Sequence, residues 1–473
     1  MKNKFTRLIC VFLSVLVTGV SICGCAATTG GGEKKVIKPM EKEEVNTVSF
    51  AITGGKDVMP IGGFNGPHPS TYNENGQMEP DMITDEYFKI ISEAGVNIIT
   101  YSTANFNEVP QLVTKMLELA EKYNMGVFVT DSEITKPADG EVLTPFEMSE
   151  RINNYANYPA FCGVYVVDEP SWPGYVKGSG TKDIDRYVPI LDTLDKLDII
   201  SYTNLYPTYA STKTEDYPKY VEAFLGSCKV PYVAYDHYVF DEGRELSEYF
   251  YNLSVIRSYA HKYNIPFWTF IQAGSQWNDA AERFDTEGYY PNEKQFDWNI
   301  NTCLAYGAQG IQYFPLLQPA VFAYAESTDW DFERNGLIGA WGNKTRWYYY
   351  AQDISSHIAA IDEVLMNAKS KGVIVSGEEA TADNKDSDCI IEGTSWRELD
   401  NVNGDAIIGC FNYQGKTALY VVNYDMEYAQ DITLEFYDKC KFSVIQNAEK
   451  AYYNGNEIEL SMQAGEGALI VFE

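Results

Sequence analysis

The chain has 473 residues, enough for two or three domains, with 45% apolar and 22% charged residues, which excludes wholesale disorder. Its 36 Lys and Arg stand against 67 Asp and Glu, a formal charge of −31 with no basic stripe, which argues against a nucleic-acid partner. Such acidity suits solubility outside the cell, and 36 Tyr with 8 Trp point to large packed cores or stacking platforms.

Lys2, Lys4 and Arg7 precede an apolar run from Leu8 to Ile22. A membrane-spanning helix needs about 20 apolar residues, so this shorter run reads as a signal peptide over residues 1–24. The run ends in Ile22-Cys23-Gly24-Cys25, which resembles the bacterial lipobox. The resemblance implies cleavage after Gly24, a diacylglyceryl group on Cys25 and a cell-surface protein anchored in the lipid bilayer. Residues 25–47 are rich in Gly, Lys and Glu without an apolar period, and are expected to form a flexible tether. Cys162, Cys228, Cys303, Cys389, Cys410 and Cys440 are scattered, with no Cys-x-x-Cys, and read as buried free thiols.

Eight strand-like runs follow over residues 48–368, centred on Ile61, Ile98, Phe128, Tyr165, Ile200, Val233, Trp268 and Ile311. Val96-Asn97-Ile98-Ile99 and Val164-Tyr165-Val166-Val167 show little polar alternation, as strands of a parallel sheet buried on both faces do. Helix signals lie between the runs. Thr84 precedes Asp85 and Glu86, with Phe88, Ile91 and Ala94 at helical spacing. Leu112, Met116, Leu119 and Ala120 form a second stripe, and Thr144-Pro145-Phe146-Glu147 is a capping box with Pro at the first helical position. Eight such units at a spacing of about 35 residues predict a TIM (β/α)8 barrel. No Gly-x-Gly-x-x-Gly follows the first strand, which counts against an open doubly wound sheet. Two long connections, Ala273 to Lys294 and Leu316 to Asn343, leave strand C-termini, where barrel active sites are built. Residues 369–473 read as a small all-β sandwich, with strands at Thr417–Val422, Ile432–Phe436 and Ala468–Phe472 and a hairpin turn at Asn454-Gly455.

The fourth strand ends Val166-Val167-Asp168-Glu169-Pro170-Ser171-Trp172. Two adjacent carboxylates leaving an apolar strand are costly unless solvated or paired, and a Glu among aromatics suits a general acid. Here the chain resembles the barrel glycoside hydrolases that carry their acid/base Glu after strand four, commonly in Asn-Glu-Pro. The resemblance spans roughly residues 48–368 and implies that Glu169 protonates a glycosidic oxygen. Asp168 replaces the usual Asn, and the nucleophilic Glu expected after strand seven is missing. Gln272, in Phe270-Ile271-Gln272-Ala273, stands in its place.

Another strand is therefore asked for the second carboxylate. Asp236, in Ala234-Tyr235-Asp236-His237, is first choice, Asp131 next and Glu326 third. A separation of about 5–5.5 Å from Glu169 implies retention of anomeric configuration, and about 6.5–9.5 Å inversion. Two alternatives stay open. Asp168-Glu169 also fits a substrate-assisted hexosaminidase, and a non-catalytic glycan-binding protein would use Gln272, Gln276 and Asn278 for hydrogen bonds alone. Candidate substrate contacts are His68, Asp131, Trp172, Asn204, Tyr235, His237, Trp268, Gln272, Trp277 and Trp341, with Trp330 beside them. The chain has no Gly-x-Ser-x-Gly, no Walker loop, no His-Glu-x-x-His and only four His, so nothing in it asks for a metal or cofactor.

Overall fold

A computed structural model describes residues 37–72, 78–79, 81–136, 141–172, 184–211, 213–240, 245–274, 277–278, 283–284, 290–318, 336–339 and 342–473. Eight parallel strands close into a barrel. They are β1 (Ile61–Gly63), β2 (Ile98–Ile99), β3 (Gly126–Thr130), β4 (Phe161–Asp168), β5 (Ser201–Leu205), β6 (Val233–Tyr235), β7 (Phe267–Gln272) and β8 (Ile311–Phe314). Each pairs with its neighbours in sequence, and β8 returns to β1 through Ile61 opposite Ile311. The predicted centres fall inside the strands, except Ile200, one residue ahead of β5.

The helices between them are α1 (Asp85–Glu93), α2 (Pro110–Lys122), α3 (Pro145–Ile152), α4 (Ile184–Lys196), α5 (Tyr217–Ser227), α6 (Leu246–Tyr263), α7 (Glu293–Ala305) and α8 (Arg346–Met366). The cues at their starts are real. Thr144 and Glu147 exchange capping bonds at α3, and the Tyr87 amide donates to the Thr84 hydroxyl at 3.4 Å at α1. On α2 the stripe is displaced: Val113, Met116, Leu117 and Ala120 are fully buried, while Leu112 and Leu119 flank them half-buried. The helix presents the edge of its apolar face that the i, i+4 pairs around Met116 define.

Alternation along the strands separates two layers of side chains. One residue set faces the helices, among them Ile99, Val127, Val129, Tyr235 and Ile271. The other fills the barrel with Phe50, Ile98, Phe128, Tyr202, Tyr232, Trp268 and Phe270. This filling is aromatic and close: Tyr232 stacks on Trp268 with ring centres 4.0 Å apart, and Tyr165 on Tyr202 at 5.4 Å. The barrel is thus a packed core over most of its height among the described residues, and its polar inward positions lie at the C-terminal ends of the strands, the end where barrel sites are built.

The C-terminal part is one antiparallel sheet folded over itself. Its strands are β9 (Ala368–Ser376), β10 (Leu399–Asn403), β11 (Ala406–Tyr413), β12 (Lys416–Asn423), β13 (Gln430–Gln446), β14 (Glu449–Met462) and β15 (Gly467–Phe472). The long β13 pairs with β10 through Thr433–Phe436 and with β15 through Phe442–Gln446, so it belongs to both leaves. Between them lies a second core that includes Ile408, Leu419, Val421, Leu434, Leu460 and Ile470. The expected hairpin turn at Asn454-Gly455 is corrected. Those residues lie inside β14, opposite Lys441 and Cys440, and the turn is made by Asn447 and Ala448, at φ 50° and 62°. Two consecutive positive φ values are what a two-residue hairpin of this twist requires, whichever residues supply them.

The outer face of the sheet packs on the barrel. Ile407, Phe411, Ala418, Tyr420 and Val422 alternate with the inward set and join the barrel's helix-side core. Tyr420 donates to Asn301 of α7 at 2.7 Å, Asn301 donates to the Gly465 carbonyl at 2.9 Å, and His357 of α8 bonds Tyr420 at 3.0 Å. At this seam Asp297 of α7 is held up to about 8, first by burial and then by Glu293, Asp353 and Glu466. Lys38 to Glu43, within the expected tether, also lie on the sheet. The Lys38 carbonyl accepts from Arg397, Met40 donates to the Gly415 carbonyl at 3.2 Å, and Glu43 pairs with Lys371 at 2.6 Å. Of the predicted thiols, all but the half-buried Cys440 are buried, and all six are free.

Gly409 of β11 marks the tightest approach of sheet to helix. A Cβ there would sit 2.2 Å from the Ala305 carbonyl oxygen at the end of α7. Gly409→Ala is therefore expected to cost about 1–3 kcal/mol by overpacking. Equilibrium unfolding in denaturant measures it, and an unchanged midpoint would show that the seam yields freely.

Candidate functional site

The polar end of the barrel follows from the same alternation. Counting inward positions upward gives Tyr202 then Asn204 on β5, Ala234 on β6 then Asp236 just past it, and Trp268, Phe270 then Gln272 on β7. On β4 the register slips between Tyr165 and Val167. A bulge of this kind re-aims the strand end. It brings Asp168 level with Asn204, its partner in the ladder.

Asn204 is the hub. Its amide nitrogen donates to Asp168 Oδ1 at 3.0 Å and to Asp236 Oδ1 at 2.7 Å. The two accepting oxygens therefore lie no further apart than the sum of those bonds. The Asn204 carbonyl accepts the Glu169 amide at 2.8 Å. Glu169 itself adopts φ 53°, a left-handed conformation costing a non-glycine residue of order 1 kcal/mol or more. Pro170 behind it is fixed by Tyr220 of α5, whose hydroxyl donates to the Pro170 carbonyl at 2.7 Å and accepts the Tyr206 amide at 3.4 Å. Strain at a residue held from both sides marks a position whose direction matters.

Three carboxylates thus meet: Asp168 and Glu169, half-buried, and Asp236, only 4% exposed. Asp236 is pushed well above the ordinary carboxylate range, first by burial, then by the Glu169 and Asp168 charges, while the Asn204 bond acts the other way. Tyrosines wall the cluster. Tyr206 is raised to about 12 by burial and then by Glu169, Asp168 and Asp236, so it remains a phenol and a donor. Burial and the Asp168 charge also raise Tyr101 and Tyr165. Tyr238, half-buried, is raised by burial and then by the charge of Asp236, with smaller contributions from Asp168 and Glu169. None of these tyrosines was singled out from the sequence. The only signal for Tyr206 was its place in Asn204-Leu205-Tyr206-Pro207 at a strand end.

The other candidates divide. His237 is buried, and its Nδ1 faces Asn252 Oδ1 at 3.0 Å. That oxygen already accepts the Thr208 amide at 2.8 Å, so Nδ1 carries the ring hydrogen and the ring ties the loop to α6. Gln272 is level with the site but spends its amide on the backbone. It donates to the carbonyls of Phe240 at 2.8 Å and Gly274 at 3.0 Å and accepts the Phe240 amide at 3.0 Å. His68 follows β1 and sets Nδ1 against the Pro69 carbonyl at 3.0 Å. Trp172 is half-buried against the helix-side core.

Three candidates are corrected. Asp131 is fully buried and bound by Arg151 through Nε at 2.7 Å and Nη2 at 2.9 Å, with Tyr155 and the Glu133 amide on the same carboxylate. An ion pair this enclosed is a structural fixture. Tyr235, one residue from Asp236, points to the opposite face and lies in the helix-side core. Trp268 faces inward but sits four residues below Gln272, sealed among Phe50 and Tyr232. The side chains of Trp277 and Asn278, and Gln276, Glu326, Trp330 and Trp341, lie outside the described residues, as does Cys25. Among the described residues no three His, Cys, Asp or Glu side chains are grouped to hold a metal ion.

No protein-family model matches the chain, and no curated protein matches it. Solved structures of similar shape include a maltogenic alpha-amylase from Thermotoga neapolitana (11% identity, 88% of this chain and 99% of that one, TM-score 0.47). An alpha-amylase from Geobacillus thermoleovorans is similar at 9% identity over 88% of this chain and 98% of that one, TM-score 0.48. A beta-galactosidase from G. stearothermophilus gives the same identity, coverage and TM-score.

Burial of Asp236 has a consequence for stability. The folded protein binds that proton more tightly than the unfolded chain, so stability falls as pH rises above the ordinary value of 3.8. Asp236→Asn removes the penalty. The variant is expected to melt at a higher temperature than the wild type at pH 7, with no advantage below pH 3.8. A lower melting temperature at pH 7 would contradict the burial argument.

Proposed function

We propose that the chain is a glycoside hydrolase working at the C-terminal mouth of its barrel. The reading is carried by one observation: Asp168, Glu169 and Asp236 converge from the ends of β4 and β6, two of them on a single amide. Acid–base cleavage of a glycosidic bond needs two carboxyl groups in different protonation states at close range. Burial and mutual repulsion supply that difference here. Glu169, half-exposed at the rim, faces the reaction with Asp236 as its partner. The tyrosine wall supplies apolar faces and hydroxyl donors suited to a sugar ring.

The test is hydrolysis of a panel of oligosaccharides and aryl glycosides by the wild type, Glu169→Gln and Asp236→Asn. Each variant is expected to lose at least about 100-fold in kcat, the scale of a general acid or base. Unchanged hydrolysis by Glu169→Gln would remove it from the chemistry. Glycan binding by a wild type that hydrolyses nothing would support a non-catalytic glycan-binding protein on the same fold.

We also propose that Cys25 carries lipid and holds the chain at the cell surface. The lipobox-like Ile22-Cys23-Gly24-Cys25 supports this. The wild type expressed in bacteria is expected to enter the detergent phase on phase partition, and Cys25→Ser the aqueous phase. Equal partition of both would refute the anchor.

A further inference from the structure

The resemblance to barrel glycosidases makes Glu169 the acid, but the geometry at Asn204 points elsewhere. Asp236 is the deepest of the three carboxyls, at 4% exposure, and among the described residues its one hydrogen-bonding partner from another residue is the Asn204 amide. From β4 it meets Asp168 and Glu169, both acidic; Tyr206 follows β5, Tyr217 comes from α5, and Tyr235 and Tyr238 flank it on its own segment. The neighbouring His237 is turned to Asn252. No Lys or Arg among the described residues forms an ion pair with Asp236. A carboxyl enclosed by apolar walls, phenols and two like charges keeps its hydrogen.

We propose that Asp236 enters the reaction as the protonated partner, and that Asn204 decides which of its oxygens carries the hydrogen. The Asn204 N–H donates to Oδ1, which favours Oδ1 as the carbonyl oxygen and Oδ2 as the hydroxyl; the Asp236 backbone amide also donates to this carboxyl. The same nitrogen donates to one oxygen of Asp168, an acceptor beside it. Asn204 is thus a positioning residue: one amide presents a donor just past β6 and an acceptor at the end of β4. Glu169 is then the base or nucleophile. The proposal rests on the reading of this cluster as acid–base machinery, but its test does not require turnover.

The test is infrared spectroscopy of the carbonyl stretch of protonated carboxylic acids in the full chain at neutral pH. Asp297 at the seam contributes to the same region, so each reading is a difference from the wild type. Asp236→Asn is expected to remove the intensity of one protonated carboxyl, while Glu169→Gln and Asp168→Asn leave it. Asn204→Leu, close in shape, removes the hydrogen bond to the carbonyl oxygen and is expected to move the Asp236 band to higher frequency. Asn204→Ser, which keeps a donor, should move it less. An undiminished band in Asp236→Asn would place the hydrogen elsewhere, and an unmoved band in Asn204→Leu would show that the amide does not set the oxygen; either outcome overturns the proposal. Should Asn204→Leu fail to fold, the wild type still decides: its Asp236 band must persist well above the ordinary carboxylate range as pH rises. A band that behaves as expected in a chain that cleaves no glycan would leave this assignment standing and remove the hydrolase reading alone.

Discussion

The pleat of parallel strands closed into a ring governs this molecule. Every second side chain must point inward, and the space inside is finite, so the inward set is packed with aromatic rings from the bottom upward. Phe128, Tyr202, Tyr232, Trp268 and Phe270 use that space fully. The first inward positions above them are Asn204, Asp236 and Gln272, all nearly or wholly buried. Polar residues there have no solvent shell of their own and must satisfy one another. The hub at Asn204 is the outcome of that requirement.

The energetic balance at the mouth is unusual for so acidic a chain. Surface acids elsewhere are spread over exposed faces, and several are paired with Lys at 2.5–3.3 Å. At the mouth, three acids stand together, and like charges at short range in poorly solvated surroundings are expensive. The cluster is held by neighbours that have no other freedom: the Asn204 amide, the Tyr220 bond to Pro170 and the Gln272 clamp on the loop after β6. Rigid elements thus hold an arrangement that would otherwise relax.

The folded sheet at the C-terminus serves the barrel by covering α7 and α8. Its alternation sends Leu419 and Val421 into its own core and Ala418, Tyr420 and Val422 against the helices. The helix α7 is therefore buried on both sides, by barrel and sheet, which explains why Asn299, Asn301 and Thr302 are enclosed along with its apolar residues. A helix sandwiched this way fixes the wall of the barrel next to β7 and β8. Sheet and barrel meet through a shared core and buried hydrogen bonds.

Much of this was legible from local pattern. The eight apolar runs, their spacing, the capping residues and the Asp-Glu pair at the end of β4 are properties of contiguous residues, and periodicity alone reveals them. Asp236 was found because it too follows a strand. What escaped were properties of parity and depth. Tyr235 and Asp236 are neighbours in sequence but face opposite ways; Trp268 shares the inward face with Gln272 but lies too far down; Asp131 sits at a strand end but is claimed by Arg151, twenty residues on. The hairpin turn moved from Asn454-Gly455 to Asn447-Ala448 because the register of β13 with β14 outweighs local turn preference. The sequence by itself determined that a barrel with acids at its rim would form, since burial periods and strand lengths are written in adjacent residues. Only the tertiary structure decided which acids meet, because that depends on a bulge in β4 and on one asparagine from the next strand reaching both.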